Sequence, residues 1–307
     1  MRKEDHLRAN NGRAAQGRPR GLWLMDFDGT IKPSGGRPVS SEDGETLNRL
    51  GGDGWFRVAA TGRSLFAFAT AWDDGMELDG LIFSSGAAAC LWGAGGPGRR
   101  LFSTVMAPKA AHRAGVGARA GGFGFFAYHA PPDSHHFHYL RPVRGKVPAG
   151  FDKRLDMFAG QSCAWPEAWF ENWPPHHAVS QFLIMVPLDE IDGVEAEFER
   201  LSPGLSLIRS SSPFDDGMIW LEIFAPGVSK GSAAARLAER LGLENVRSVA
   251  LGNDYNDLDL LAWADRAFVV ADAAPSLLRL YPDHIAPAGG DGLKQALRAL
   301  PPDFLKT

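Results

Sequence analysis

Short apolar runs that stop at small polar or acidic residues recur in the first and last thirds of the chain. The first run, residues 22–25, stops at two carboxylates one residue apart, Asp26 and Asp28. Comparable runs that end in polar turns lie at residues 55–60, 81–84 and 246–251. Helix-like stretches separate these runs, and this alternation predicts a parallel sheet in an α/β fold. Because functional groups of such sheets collect where the strands end, these turns form the candidate site.

The clearest predicted helix begins at Ser229 and ends at Gly242. An apolar stripe at helical spacing runs along it, formed by Ala234, Leu237, Ala238 and Leu241. A serine before the first turn and a glycine after the last are typical helix boundaries. Further helices are predicted at residues 41–49, 64–72 and 292–300.

The middle of the chain has a different pattern. Strand-like stretches dominate there, at residues 123–129, 135–143, 181–187 and 205–211, with a helix-like stretch at 189–201. Strands with hairpin-like connections indicate an α+β module inserted into the first domain. We therefore predict a core domain formed by residues 21–87 and 222–307, an inserted cap at 88–221, and a tail at 1–20.

Composition and charge narrow the class of partner. The chain has 307 residues, 45% of them hydrophobic and 22% charged, with a net charge of -4. This balance gives no electrostatic basis for binding nucleic acid or an anionic membrane, so a small-molecule partner is expected. The six basic residues of the tail are scattered and indicate a solvated, flexible segment rather than a polyanion site. Oligomeric state is not indicated.

The two cysteines indicate the redox state of the cellular compartment. Cys90 and Cys163 lack the paired spacing of a zinc or dithiol site. Few cysteines, without a secretory signal or an apolar span in the tail, indicate a reducing cytoplasm.

Four polar turns carry residues that are chemically compatible with one another. Adjacent carboxylates repel unless a cation lies between them, and hard oxygen ligands suit Mg2+. A carboxylate can also act as a nucleophile, and lysine, hydroxyl and backbone N–H groups bind phosphate oxygens. The candidates are Asp26 and Asp28, Thr61 with Arg63, Lys230, and the group Asn253, Asp254, Asn256 and Asp257.

These turns also carry a family resemblance. DFDGT at 26–30, TGR at 61–63, GVSKG at 227–231 and GNDYND at 252–257 resemble the four ordered motifs of haloacid dehalogenase-like phosphatases. The Cof-type group of that family has a large α/β cap between the second and third motifs. The resemblance implies a Rossmann-like parallel sheet core and a Mg2+-dependent phosphomonoesterase acting on a small phosphorylated metabolite such as a sugar phosphate.

The resemblance also implies a role for each motif residue. Asp26 would attack phosphorus and form an aspartyl-phosphate, while Asp28 would protonate the leaving oxygen and then activate water. Thr61 and Lys230 would bind the transferring phosphoryl group. The implied substrate-binding residues are Thr61, Gly62, Arg63, Ser85, Gly86, Lys230 and Asn256. The implied metal site uses Asp26, Asp28, Asn253, Asp254 and Asp257.

One departure from the family pattern affects the metal site. The family usually has aspartate directly after the glycine of the fourth motif, whereas this chain has Asn253 and then Asp254. Either Asn253 is a neutral ligand supported by Asp254 and Asp257, or Asp254 itself reaches the metal. We favour Asn253, because Asn256 and Asp257 keep the family spacing.

Some features of the cap and of the activity leave alternatives open. The histidines at 129, 135, 136 and 138 could bind a metal, but only Asp133 accompanies them, so exposed polar residues of a hairpin are expected. Tryptophans at 165, 169 and 173 have helical spacing and are expected to pack rather than to stack on a sugar. A phosphosugar mutase or phosphotransferase, or a non-catalytic phosphate-binding protein, are the alternative functions.

Overall fold

The computed structural model describes residues 18–33, 37–72, 75–143, 147–214 and 217–305. Most of the predicted tail therefore lies outside the described residues. The chain divides into two compact units. The first contains residues up to 63, 68–102 and 229 onward, and the second contains residues 64–67 and 103–228.

Fourteen strands occur within the described residues. In chain order they are β1 (Gly21–Met25), β2 (Trp55–Ala60), β3 (Gly80–Phe83), β4 (Ala88–Gly93), β5 (Gly96–Ser103), β6 (Phe125–His129), β7 (Phe137–Leu140), β8 (Ser162–Ala164), β9 (Val179–Pro187), β10 (Ser206–Ser211), β11 (Met218–Phe224), β12 (Arg247–Gly252), β13 (Arg266–Val270) and β14 (His284–Ile285).

The described part of the chain also forms ten α-helices. They are α1 (Ser41–Gly52), α2 (Leu65–Ala71), α3 (Pro108–Ala120), α4 (Ala149–Met157), α5 (Ile191–Leu201), α6 (Lys230–Leu241), α7 (Leu258–Trp263), α8 (Pro275–Leu280), α9 (Gly292–Ala299) and α10 (Pro302–Leu305). None of these helices has the length and hydropathy needed to span a membrane.

The sheet of the first unit has eight strands in the order β14-β13-β12-β1-β2-β3-β4-β5. Pairing is parallel from β14 to β3 and antiparallel between β3 and β4. All five residues of β1 are buried, as expected for a central strand covered on both faces. The predicted α/β fold with a parallel sheet is confirmed.

Helix α6 follows the predicted boundaries. Ser229 and Ser232 form a reciprocal capping box at its start, and Gly242 ends it with φ 71°, a left-handed conformation that glycine adopts without strain. The predicted apolar stripe is buried. The helix therefore has a fixed N-terminus, which determines where Lys230 lies.

The second unit is an α+β module built on a six-stranded sheet in the order β10-β11-β9-β6-β7-β8. Its pairings are antiparallel except for the parallel pair β7 and β8. A core cluster forms on this sheet, with Phe126, Tyr128, Phe137, Phe151, Leu183 and Met185 as buried members. The predicted inserted α+β module is thus present.

The structure moves both predicted domain boundaries. Strand β4 pairs antiparallel with β3, so the chain after residue 87 stays with the first unit until residue 102. Strand β11 pairs with β9 and β10, so the chain leaves the second unit at 228 rather than 221. The physical reason is that an apolar run predicts a strand but does not identify the sheet that the strand joins.

One expectation about side chains in the second unit changes, and another is confirmed. His129, His136 and His138 are partly buried rather than exposed. The tryptophans at 165, 169 and 173 do pack against one another, with ring centroids 5.2 to 6.0 Å apart. Helical spacing is not the reason, because only the short 3-10 helix Glu167–Phe170 occurs there.

Candidate active site

The candidate site lies where three neighbouring parallel strands end. Met25 of β1 pairs with Ala59 of β2 on one side and with Leu251 of β12 on the other. The residues that follow these strands therefore lie at one edge of the sheet, as the sequence predicted. Asp26 is also fixed through its backbone N–H, which donates to the carbonyl oxygen of Leu251 at 2.9 Å.

A buried lysine joins two carboxylates at this edge. Lys230 Nζ donates to Asp26 Oδ1 at 2.6 Å, to Asp257 Oδ1 at 2.6 Å and to Asn256 Oδ1 at 3.3 Å. The side chain of Lys230 is 1% exposed and that of Asp257 is fully buried. An ammonium group has three N–H donors, so these contacts can use all of them. The third and fourth motifs are thereby connected to the nucleophile candidate.

The buried charges of this group do not balance. Two ionised carboxylates and one ammonium would leave one negative charge without a partner. Burial raises the pKa of Asp26 to about 8, with the charge of Asp257 adding to this rise and Lys230 opposing it. Burial lowers the pKa of Lys230, but Asp257 and Asp26 outweigh that effect and raise it overall. A bound cation would favour the ionised form of Asp26.

Asp257 holds the fourth turn in place. Its Oδ2 atom accepts hydrogen bonds from the backbone N–H groups of Asn253 at 2.8 Å and Asp254 at 3.0 Å. Its other oxygen accepts from Lys230, so both carboxylate oxygens are already used by the protein. These contacts favour a positioning role for Asp257 over the direct metal ligation that was expected for it.

Thr30 connects the first and fourth motifs. Its Oγ1 atom lies 3.1 Å from Asp26 Oδ2 and 3.2 Å from Asn253 Oδ1. A hydroxyl group carries one proton, so it can donate to only one of these two acceptors at a time. The carboxylate oxygen of Asp26 and the amide oxygen of Asn253 therefore share a single hydrogen-bond donor.

These oxygen ligands fit a hard divalent cation such as Mg2+, which prefers carboxylate and carbonyl oxygens. Asp26 and Asn253 supply the side-chain oxygens that are best placed for it. Asp254 instead accepts from the backbone N–H of Asp257 as the N-cap of the short helix Tyr255–Asp257. The geometry thus supports Asn253 over Asp254 as the candidate ligand from the fourth turn.

Asp28 forms an ion pair that the sequence did not reveal. Arg63 donates from Nε to Asp28 Oδ2 and from an Nη atom to Asp28 Oδ1, both at 2.7 Å. The two side chains are 49% and 34% exposed, so this bidentate pair is accessible to solvent and ligands. A carboxylate engaged in this way has no proton to donate. The acid role expected for Asp28 would therefore require its release from Arg63.

Thr61 is buried and is held by the neighbouring strand and turn. Its backbone N–H donates to Ile82 at 2.9 Å, and its carbonyl oxygen accepts from Ser85 at 3.1 Å. The hydroxyl oxygen accepts from the backbone N–H of Arg63 at 3.1 Å. The hydroxyl proton can still be donated, which suits a phosphoryl oxygen.

Gly86 and Ser85 lie in a tight turn after β3. Ser85 has φ 51° and Gly86 has φ 103°, and both residues are buried. A Cβ atom on Gly86 would overlap the backbone of Ser229, directly before Lys230. This contact explains the glycine through packing against the start of α6, whereas substrate binding by Ser85 and Gly86 stays a prediction.

The structure brings most of the predicted site residues into two connected groups. One group contains Asp26, Lys230, Asn253, Asn256 and Asp257, and the other contains Asp28, Thr61 and Arg63. Gly62 is exposed in the turn beside Arg63. Thr30 was missed by sequence reasoning, although its place four residues after Asp26 in the same motif was a usable signal.

Parts of the chain are similar to known hydrolases and phosphatases. Residues 166–297 match a family model described as haloacid dehalogenase-like hydrolase. A curated relative, the HMP-PP phosphatase of Cronobacter sakazakii, is 34% identical over 62 residues, which cover 20% of this chain and 23% of the relative. Five such relatives are matched over 23% to 47% of their own length.

Solved structures match over almost the whole chain. A subclass IIB sugar phosphatase of the haloacid dehalogenase superfamily, BT4131, has a TM-score of 0.68 at 16% identity, covering 91% of this chain and 98% of that one. BT1666 from Bacteroides thetaiotaomicron, from a study of phosphatases of the superfamily, has a TM-score of 0.70 at 18% identity, covering 92% and 96%. At these identities the likeness establishes the fold.

Proposed function

We propose that the chain is a Mg2+-dependent phosphomonoesterase of the haloacid dehalogenase-like hydrolases, the family whose model matches residues 166–297. The proposed reaction releases phosphate from a small phosphorylated metabolite through an aspartyl-phosphate on Asp26. The observation that carries the proposal is the bridge from Lys230 to Asp26 and Asp257, with both bonds at 2.6 Å. This bridge holds a buried carboxylate in one orientation at the end of the sheet.

In the first half-reaction a carboxylate oxygen of Asp26 attacks the phosphorus atom. A bond forms between that oxygen and phosphorus while the bond from phosphorus to the ester oxygen breaks. Protonated Asp28 gives its proton to the leaving oxygen, so the alcohol departs neutral. Thr61 donates its hydroxyl proton to a phosphoryl oxygen, and Lys230 offsets the negative charge that accumulates there.

Arg63 connects substrate binding to the state of Asp28. The incoming phosphoryl group is an anion and competes with Asp28 for the accessible guanidinium group of Arg63. Transfer of Arg63 to the phosphoryl group frees Asp28 to take up, from solvent, the proton that it later donates. The partial exposure of both side chains supports this exchange.

In the second half-reaction water attacks the phosphorus of the aspartyl-phosphate. Asp28, now ionised, accepts a proton from that water as the bond from phosphorus to Asp26 breaks. Inorganic phosphate leaves and Asp26 returns to its carboxylate form. Asp257 keeps Lys230 and the fourth turn in place during both halves.

Mg2+ bound by Asp26, Asn253 and the backbone carbonyl of Asp28 would supply positive charge to the phosphoryl oxygens and to the nucleophile. The excess negative charge of the buried group supports this assignment. A sugar phosphate is the proposed substrate class, in keeping with the sugar phosphatase activity named for the structural neighbour BT4131. The second unit, inserted between the second and third motifs, is the proposed source of specificity.

The test is phosphate release from a generic aryl phosphate, followed by a panel of sugar phosphates. The wild-type chain should release phosphate only with Mg2+, and Asp26→Asn should reduce the rate by at least about 10^3-fold, because the nucleophile is lost. Radiolabelled phosphate should become attached to the wild-type chain and not to Asp26→Asn. Phosphate release that survives in this variant would refute the nucleophile, and an isomeric phosphosugar as product would indicate a mutase instead.

A further inference from the structure

Three histidines from separate segments of the second unit lie close together. His129 ends β6, His138 lies on β7, and His177 lies in the segment that precedes β9. One ring nitrogen from each lies within 4.8 Å of the other two. The closest pair, Nε2 of His129 and Nδ1 of His138, is 3.2 Å apart.

The pairing of the strands brings two of these rings together. Ala127 of β6 pairs with His138 of β7, and the backbone N–H of His129 donates to the carbonyl oxygen of His136 at 3.0 Å. Side chains two residues apart on a strand share a face, so His129 and His138 are diagonal neighbours on one side of the sheet. His177 approaches the same side from outside the strands.

Indole rings surround the histidines. The ring centroid of Trp169 lies 4.4 Å from that of His177 and 4.8 Å from that of His138. Trp173 and Trp165 complete this wall, at 5.8 Å from His177 and 6.5 Å from His138. The imidazoles therefore lie in a partly dry environment, where an unpaired polar atom is costly.

The hydrogen bonds within the cluster leave a ring nitrogen without a partner. A neutral imidazole has one donor and one acceptor, and the contact between His129 and His138 uses one atom of each ring. The Nε2 atom of His177 is buried and has no hydrogen-bond partner among the described residues. A ligand bound beside this nitrogen would give it the partner that the protein does not supply.

The protonation state is also suited to metal binding. Burial lowers the pKa of His138 and His177 to about 4, with neighbouring imidazoles adding to the effect. Burial also lowers the pKa of His129, with His136 and His135 adding to the effect and the charge of Asp133 opposing it. Burial thus disfavours the charged form of all three rings, and neutral imidazole is the form that coordinates a metal.

We propose that His129, His138 and His177 form a binding site for a first-row transition-metal dication, with Zn2+ as the ion that the donors fit. Imidazole nitrogen suits Zn2+, whereas Mg2+ requires oxygen ligands. Tetrahedral bonds of about 2.05 Å place ligand nitrogens about 3.3 Å apart, close to the 3.2 Å of the nearest pair. The bound ion ties the ends of β6 and β7 to the segment before β9, and it leaves a fourth position for water. The site is independent of the phosphatase proposal.

Binding is tested on the full chain without a histidine tag, after treatment with a chelator. Excess Mg2+ is included to occupy oxygen sites in the first unit, and Zn2+ is titrated in by calorimetry. We expect one Zn2+ per chain and a rise in unfolding temperature, because a ligand that binds only the folded state stabilises it. Co2+ in place of Zn2+ should give the visible absorption of a tetrahedral centre. Absence of stoichiometric Zn2+ binding would overturn the proposal.

Variants locate the site. His177→Ala and His138→Ala should each weaken Zn2+ binding by more than about 100-fold, since loss of a direct ligand exceeds the effect of losing a supporting residue. The matched control is His176→Ala, because His176 is exposed, adjacent in sequence and outside the cluster. Circular dichroism of each metal-free variant checks the fold, and a variant that fails this check is replaced by the corresponding Gln variant.

A neighbouring group requires its own control. Asp133, His135 and His136 also place potential ligand atoms within 4.8 Å of one another. His136→Ala should leave the tight Zn2+ site intact. Loss of Zn2+ binding in His136→Ala together with full binding in His177→Ala would assign the metal to this other group and refute the site proposed here, as would equal losses in His176→Ala and His177→Ala.

Discussion

At the residue scale, the ion pairs of the candidate site differ in burial. Lys230 with Asp26 and Asp257 is almost completely buried, whereas Arg63 with Asp28 is partly exposed. Buried charges lose their hydration and depend on each other, while exposed charges are screened by water. The first group is therefore part of the folded core, and the second is accessible for the exchange of partners in the proposed reaction.

This difference predicts unequal effects on stability. Lys230→Met should lower the free energy of unfolding by about 3–5 kcal/mol, because it leaves two buried carboxylates without their cation. Arg63→Met should lower it by less than about 1 kcal/mol, since the pair is accessible to solvent. Urea unfolding monitored by tryptophan fluorescence compares the two variants. Equal losses would contradict the distinction drawn between the pairs.

The proposed Mg2+ site gives a second prediction at this scale. Without Mg2+, Asn253→Asp should lower the unfolding temperature, because it adds a carboxylate beside Asp26. Addition of Mg2+ should raise the unfolding temperature of this variant more than that of the wild-type chain. Thermal unfolding with and without Mg2+ measures both effects.

Asp254→Asn is the matched variant for this experiment. It should keep the Mg2+-induced rise in unfolding temperature, because the side chain of Asp254 caps the following turn. Loss of that rise in Asp254→Asn, with no change in Asn253→Asp, would show that Asp254 is the ligand.

The cysteines should react unequally. Burial raises the pKa of Cys90 to about 12, so its reactive thiolate form is scarce and shielded, whereas Cys163 is exposed. A thiol-specific chromogenic reagent at about pH 8 should modify one thiol in the native chain and both after unfolding. Cys163→Ser should remove the native reaction, and Cys90→Ser should not. Rapid modification of native Cys163→Ser would contradict the buried position of Cys90.

At the scale of elements, the site depends on how closely the start of α6 approaches the turn after β3. Gly86 has no side chain and adopts φ 103°, which lets the backbone of Ser229 lie against it. The capping box of Ser229 and Ser232 then fixes the first turn of α6. Lys230 reaches Asp26 because the contact at Gly86 and the capping box together set the position of the start of α6.

Substitution of Gly86 tests this relation. Gly86→Ala should cost at least about 2 kcal/mol of stability, because it combines a disfavoured φ with overlap against backbone. It should also reduce phosphate release by displacing Lys230. The control is Gly52→Ala at the end of α1, where a Cβ atom meets nothing within 4 Å. If Gly86→Ala changed neither the free energy of unfolding nor phosphate release, the close contact between Gly86 and the backbone of Ser229 would be refuted.

Individual elements were largely predictable from sequence, because their signals are local. Periodic apolar positions and end residues located α6, and continuous apolar runs located β1 and β2. Helix α3, Pro108–Ala120, was missed because its alanines and glycines give a weak apolar period. The hairpin of β4 and β5 was assigned to the wrong unit, since pairing partners are not encoded in a single strand.

At the scale of the whole molecule, the chain leaves the first unit and returns to it. The motif that carries Asp26 lies before the second unit, and the motifs that carry Lys230 and Asp257 lie after it. The candidate site is therefore assembled from segments about 200 residues apart in sequence. Forming the site requires the first unit to close around both segments. The second unit has its own sheet and core cluster, and it carries the proposed zinc site.

The sequence by itself determined the α/β class of the core, the inserted module and the order of the four motifs. These follow from periodicity and residue type, which each local segment carries. Only the tertiary structure decided that Asp257 and Asp254 accept hydrogen bonds from the backbone of the fourth turn. It also decided that Arg63 forms an ion pair with Asp28, and that the Thr30 hydroxyl lies between Asp26 and Asn253. It also brought His177 to His129 and His138. Such contacts depend on strand register, helix position and burial, which are set when distant segments pack together.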